Sequence, residues 1–85
     1  QQALRWFRLA ADQGEALAQT KIAIMYDHGQ GVPKNIVQAY KWYSLAATNG
    51  DKPANLLRDS LANQMTQAQI AEAQKLAQEW KPIKK

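Results

Sequence analysis

At 85 residues the chain is one small domain or a piece of a larger one, because a chain this short buries only about 60% of its unfolded surface. It carries 11 Lys and Arg against 7 Asp and Glu, a net charge of +4. Lys81, Lys84 and Lys85 all lie in its last few residues, so the basic balance describes one end rather than a binding face. The absence of cysteine excludes disulfide staples and thiolate metal sites, and no apolar stretch approaches the length of a membrane span or a signal core.

In chain order, residues 2 to 12 place Ala3, Trp6, Phe7 and Ala10 at helical spacing, and Gly14 supplies the left-handed stop that ends many helices. A second helix is predicted from Glu15 to about Tyr26, with Ala18, Ile22, Met25 and Tyr26 on one stripe. It runs into MYDHGQGVPKN, residues 25 to 35, where Gly29 and Gly31 admit positive φ and Pro33 disfavours helix in the residue before it. Asn35 followed by Gln38 is a capping-box signal for a third helix over 36–48, which Gly50 closes. A fourth helix near 53–63 opens with Pro53, which is normal at a first helical position, and mixes Arg58 and Asp59 among Leu56, Leu57 and Leu61. Thr66 with Gln69 is a second capping box, and Ile70, Ala73, Leu76, Ala77 and Trp80 form the apolar stripe of a fifth helix before Pro82. No strand pattern is present.

The first and third helices repeat one another. Residues 3–14, ALRWFRLAADQG, and residues 39–50, AYKWYSLAATNG, align at an offset of 36. That shift takes Ala3, Trp6, Leu9, Ala10, Ala11 and Gly14 to Ala39, Trp42, Leu45, Ala46, Ala47 and Gly50, with Phe7 becoming Tyr43 and Arg5 becoming Lys41. A period in the thirties is the size of one helical hairpin in a stacked array. The chain therefore reads as a fragment of a solenoid that starts in mid-helix, with an upstream segment expected.

Gly14 to Gly50 resembles a Sel1-like repeat, a bacterial and eukaryotic relative of the tetratricopeptide repeat, through Gly14, Ala16, Ala18, Gln19, Ile22, Tyr26, Gly29, Gly31, Val32, Ala39, Trp42, Ala46, Ala47 and Gly50. The resemblance implies an all-α fold of antiparallel helix-turn-helix repeats stacked as a short right-handed α-solenoid. It implies residues 1–14 as the second helix of a preceding repeat, 15–50 as a complete repeat, 51–64 as the first helix of a degenerate terminal repeat, and 65–85 as a C-terminal capping helix with a basic tail. Trp80 and the charged Glu72, Lys75 and Glu79 suit such a cap, which shields the last apolar face of a solenoid from water. Ala23, where the family usually has glycine, suggests slightly wider helix packing. Pro53 and Asn55 depart from the pattern where the array is ending. A cysteine-bridged subgroup described as beta-lactamase-like is a poor match for a chain without cysteine.

Chemistry-bearing residues are sparse. His28 and Asp27 could begin a metal site, but zinc requires three or four ligands and no second histidine exists, so a solvated loop residue is expected. Gly29 and Gly31 follow a helix rather than a strand and lack the remaining residues of a phosphate loop, which leaves a helix-helix turn with Val32 beneath it. Trp6, Trp42, Phe7 and Tyr43 fall on the stripe a hairpin must bury, and they are expected in the core rather than on a stacking platform. Ser44 and Ser60 have no histidine at a motif spacing, and the carboxylates are scattered, Glu15 and Asp51 lying where a helix N-terminus favours negative charge. No catalytic residue, cofactor or metal is expected.

What remains is a protein-protein interaction scaffold. On the second helix the positions outside the repeat signature include Leu17, Thr20, Lys21, Ile24 and Asp27, spaced as one face. By similarity to tetratricopeptide repeats this face would line a concave groove and bind a partner protein or peptide, with Leu17 and Ile24 as apolar contacts and Lys21 selecting acidic character. The alternative for Leu17 and Ile24 is packing against a neighbouring hairpin or the C-terminal helix. The rival function is a basic helical module in which Arg5, Arg8, Lys41 and the C-terminal lysines attract nucleic acid or an anionic surface. Against it stand the near-neutral body and the expected lack of exposed aromatics among the basic residues.

Overall fold

The computed structural model describes residues 2–81, with side chains described from Arg5 onward. Five helices account for the described residues, with no strand: α1 (Gln2–Asp12), α2 (Ala16–His28), α3 (Ile36–Thr48), α4 (Pro53–Ala62) and α5 (Gln67–Glu79). The fold is the expected all-α helical repeat architecture.

Local chemistry sets the helix ends. Asn35 accepts a hydrogen bond from the Gln38 backbone N–H at 3.1 Å, so the half of its capping box in which the cap side chain accepts is made. Thr66 and Gln69 complete both halves, at 3.1 and 2.9 Å, and α5 begins there. α2 runs two residues beyond its expected end, through His28, because Gly29 is the first residue after Tyr26 free to turn left-handed. At φ 67° its N–H returns to the Met25 carbonyl. Gln30 donates to the same carbonyl, and Asn35 donates to the Tyr26 carbonyl, each at 2.9 Å, which closes the turn. Gly31 also sits at positive φ, 75°. MYDHGQGVPKN is thus a bend between two helices, and His28 is an exposed residue in the last turn of the first.

α3 is the hub. It packs against α2, α4 and α5, while α1 packs mainly on α2, and α5 lies against α3 rather than pairing with α4. Trp42, Tyr43, Ala39 and Ala46 of α3 join Ile22 and Ala23 of α2, Ala54 and Leu61 of α4, Ala73 of α5 and Ala11 of α1 in one buried cluster. Trp80 meets the edge of Trp42 with ring centroids 6.2 Å apart and planes at 72°, and the Gln74 amide donates to the Tyr40 hydroxyl at 3.4 Å. α5 thereby covers the flank of α3 that would otherwise face water.

One buried amide ties the first three helices together. Gln19, fully buried on α2, donates through Nε2 to the Ala11 carbonyl at 3.0 Å and accepts from Asn49 Nδ2 at 2.9 Å. The side chain therefore joins the C-terminal ends of α1 and α3 while leaving neither of its polar atoms unpaired.

One expectation fails. Trp6 is 69% exposed and not in the core, because α1 has no second helix over that flank among the described residues. The same fact removes the objection that no exposed aromatic lies among the basic residues, since Trp6 stands between Arg5 and Arg8. On α4, Leu61 is buried but Leu56 and Leu57 are exposed, because α3 receives only the Ala54–Leu61 side of that helix.

Candidate functional site

α2 is apolar on more than one side, which a helix flanked by neighbours on both edges requires. Its inward residues Gln19, Ile22 and Ala23 are buried against α1 and α3, and its outward stripe is Leu17, Lys21 and Ile24. Leu17 is 68% exposed, Lys21 is exposed, and Ile24 is half-buried at the edge of the core. A shallow cleft of about 490 Å³ opens beside this stripe, lined by Phe7 of α1, Lys21, Ile24 and Met25 of α2, and Gln30 and Gly31 of the turn. Phe7, Ile24 and Met25 give it an apolar floor, and Lys21 is its one charged wall.

The five residues of the expected face thus divide. Leu17, Lys21 and Ile24 stay together on the open side of α2. Thr20 is buried, and its hydroxyl donates to the Asp51 carboxylate, binding α2 to the turn before α4. Asp27 is half-buried and accepts from the Tyr43 hydroxyl at 3.2 Å, which binds α2 to α3. Burial first, and the Asp27 carboxylate second, raise the pKa of the Tyr43 phenol, so it stays a donor. Both residues lie on the flank of α2 turned toward α3 and the turn that follows it, and their polar groups serve packing there. Conversely, sequence spacing did not point to Phe7, Met25, Gln30 and Gly31 as cleft residues. Met25 and Phe7 carried only a core signal, and the cleft arises from how α1 leans on α2.

The basic residues divide as well. Arg8 and Lys41 come together over the Trp42 ring, their charged groups 5.3 and 4.7 Å from its centroid. Arg8 also pairs with Asp12 one turn along α1, at 3.2 Å. Arg5 is exposed on α1, Lys81 follows Trp80, and Lys84 and Lys85 lie outside the described residues. Among the described residues no three His, Asp or Glu side chains gather as a metal-holding group, and no helix is long and apolar enough to cross a membrane.

Residues 1–15 and 16–51 match the Sel1 repeat family. Among curated proteins, chitin synthase regulator SKT5 of Saccharomyces cerevisiae is 43% identical over 58 residues, which is 67% of this chain and 8% of that protein. DAP3-binding cell death enhancer 1 of Rattus norvegicus is 37% identical over 54 residues, 64% of this chain and 11% of that protein. Its Mus musculus counterpart is 38% identical over the same length. The chain spans only a small part, 8 to 11%, of the relatives it matches. Sel1 repeats are in general protein-protein interaction modules, and the proteins built from them are generally non-catalytic adaptors. With both the first and third helices inside matched stretches that cover more than half of its length, the chain belongs to the Sel1 repeat family.

Proposed function

We propose that this chain is a non-catalytic docking module that holds a partner protein or peptide on the open face of α2, with Leu17 and Ile24 as apolar anchors and Lys21 as the charged contact. The observation that supports this reading is an exposed leucine and a half-buried isoleucine one helical stripe apart, beside a cleft floored by Phe7 and Met25. A helix or extended segment with two apolar side chains would remove that surface from water, and a carboxylate on it would meet Lys21. Thr20 and Asp27 support the stripe from behind by fixing α2 to its neighbours. The relatives suit such a role, since one is named for binding another protein and one for regulating an enzyme.

Peptides selected from a displayed library on the immobilised chain provide the test. Ile24→Glu places a charge in the apolar contact and should abolish binding of most selected peptides while circular dichroism remains helical. Selected peptides that bind a folded Ile24→Glu variant as tightly as the parent would refute the α2 face as the docking surface.

A further inference from the structure

The cluster over Trp42 draws on Arg8 of α1, Lys41 of α3 and Trp80 after α5, shares no residue with the open stripe of α2, and is not accounted for by the docking proposed there. Two cations from separate helices share one indole. Arg8 reaches it from α1 with a side chain 49% exposed, and Lys41 reaches it from α3 with a half-buried stem. Cation-π attraction holds each in place, but the two positive groups repel each other and Lys41 has lost part of its hydration. Burial above all, and Arg8 next, lower the pKa of the Lys41 ammonium, with Asp12 acting in the opposite direction.

The donor and acceptor balance of the cluster is one-sided. The Arg8 guanidinium has five N–H donors and the Lys41 ammonium three. Asp12 is the carboxylate available to them, and Arg8 Nε occupies both of its oxygens, at 3.2 and 3.3 Å. Lys41 has no carboxylate within ion-pairing distance among the described residues. The Trp42 indole N–H, buried in the same cluster, also has no acceptor among them. A site with surplus donors, net positive charge and partial access calls for an acceptor-rich anion.

We propose that Arg8 and Lys41 form a docking point for a carboxylate-bearing, acidic segment of a protein partner at the junction of α1, α3 and α5. A carboxylate would take the free edge of the Arg8 guanidinium and the Lys41 ammonium together, relieving their repulsion through charge-assisted hydrogen bonds. Two cations against a single ring favour a compact carboxylate over a nucleic-acid backbone, which is held by cations strung along a groove. Outside the C-terminal lysines the chain is close to neutral, eight cations against seven acids, so no broad electrostatic field supports polyanion binding.

The experiment follows the Lys41 side-chain carbon signals of lysine-labelled protein by NMR during titration with an oligoglutamate peptide, and in parallel with inorganic phosphate and a single-stranded oligonucleotide. Oligoglutamate should shift the Lys41 signal and raise the pH at which it titrates. Arg8→Gln and Lys41→Gln should each weaken binding about tenfold, the loss expected for one charge-assisted hydrogen bond. Lys41→Arg should retain binding, and Lys52→Gln, which removes an exposed charge at the start of α4, should leave it unchanged. If Arg8→Gln fails to fold, the Lys41 variants decide alone. Oligoglutamate binding that leaves Lys41 unmoved, equal weakening by Lys52→Gln, or a Lys41 response to phosphate or oligonucleotide but not to oligoglutamate would each overturn the proposal.

Discussion

α1 and α3 carry the same motif and meet different fates. Trp42 is fully buried and Leu45 nearly so, whereas Trp6 and Leu9, their equivalents 36 residues earlier, are 69% and 50% exposed. The difference lies in the neighbours. α3 is enclosed by α2, α4 and α5, and Trp80 closes over the indole edge, while α1 is covered mainly by α2. In a repeat protein each unit contacts only those beside it, so a residue's burial belongs to the junction rather than to the residue. The enclosed helix sets the stability of the fold, and among the described residues the outer flanks of α1 and α2 carry no neighbouring helix.

The pair of tryptophans gives the largest contrast in stability. Trp42→Ala should cost about 3 to 5 kcal/mol, the range for emptying a large buried aromatic site, and urea unfolding followed by circular dichroism should show most of the protein unfolded. Trp6→Ala, made and measured in the same way, should change stability by less than about 0.5 kcal/mol. Equal losses would break the comparison.

Gln19 tests how firmly the open helix is attached to the enclosed one. Gln19→Ala leaves the Ala11 carbonyl and the Asn49 amide without their partner and should cost about 1 to 3 kcal/mol. Native-state amide exchange should show the loss chiefly in α1, with the α3 amides still the best protected. Uniform loss across both helices would mean that α1 is as integral to the fold as α3.

The Tyr43–Asp27 contact sharpens the picture of α3 as the hub, with a smaller effect. Tyr43→Phe should cost about 1 kcal/mol at neutral pH, the net worth of one hydrogen bond. Because the folded state holds the phenol protonated above its ordinary range, this stabilisation is complete below the ordinary tyrosine pKa of about 10. It is lost as pH rises beyond that value, since the unfolded chain then ionises first. The stability gap between the parent and Tyr43→Phe, measured by denaturant titration, should therefore shrink above that pH. A gap that widens with alkali would contradict the buried-phenol account.

How much could be read from the sequence follows the same division. Helix ends were legible because they rest on adjacent residues: Gly29 can turn left-handed, and Thr66 with Gln69 satisfies the first backbone donors of α5. The repeat was legible because Trp, Ala and Gly recur together at one offset. Exposure of Trp6 was not, because its side-chain type is that of a buried residue and only the set of neighbouring helices decides. Leu17, Lys21 and Ile24 could be placed on one stripe by helical spacing. Thr20 and Asp27 sat close enough to that stripe to join it on paper, yet their partners Asp51 and Tyr43 lie 31 and 16 residues away, beyond any local pattern. Gln19 was recognisable only as a repeat-signature residue. Its polar side chain between Ala18 and Ile22 was the one local sign that an amide would need partners inside the fold.

The most direct test of the contrast between enclosed and open helices is solvent exchange of the tryptophan indole protons, followed by NMR in one sample and assigned with Trp→Phe variants. The Trp42 indole proton should exchange slowest, since burial alone excludes water from it. The Trp6 proton should exchange at the rate of an unstructured peptide. Trp6 protected as strongly as Trp42, or Trp42 exchanging as fast as Trp6, would contradict the account.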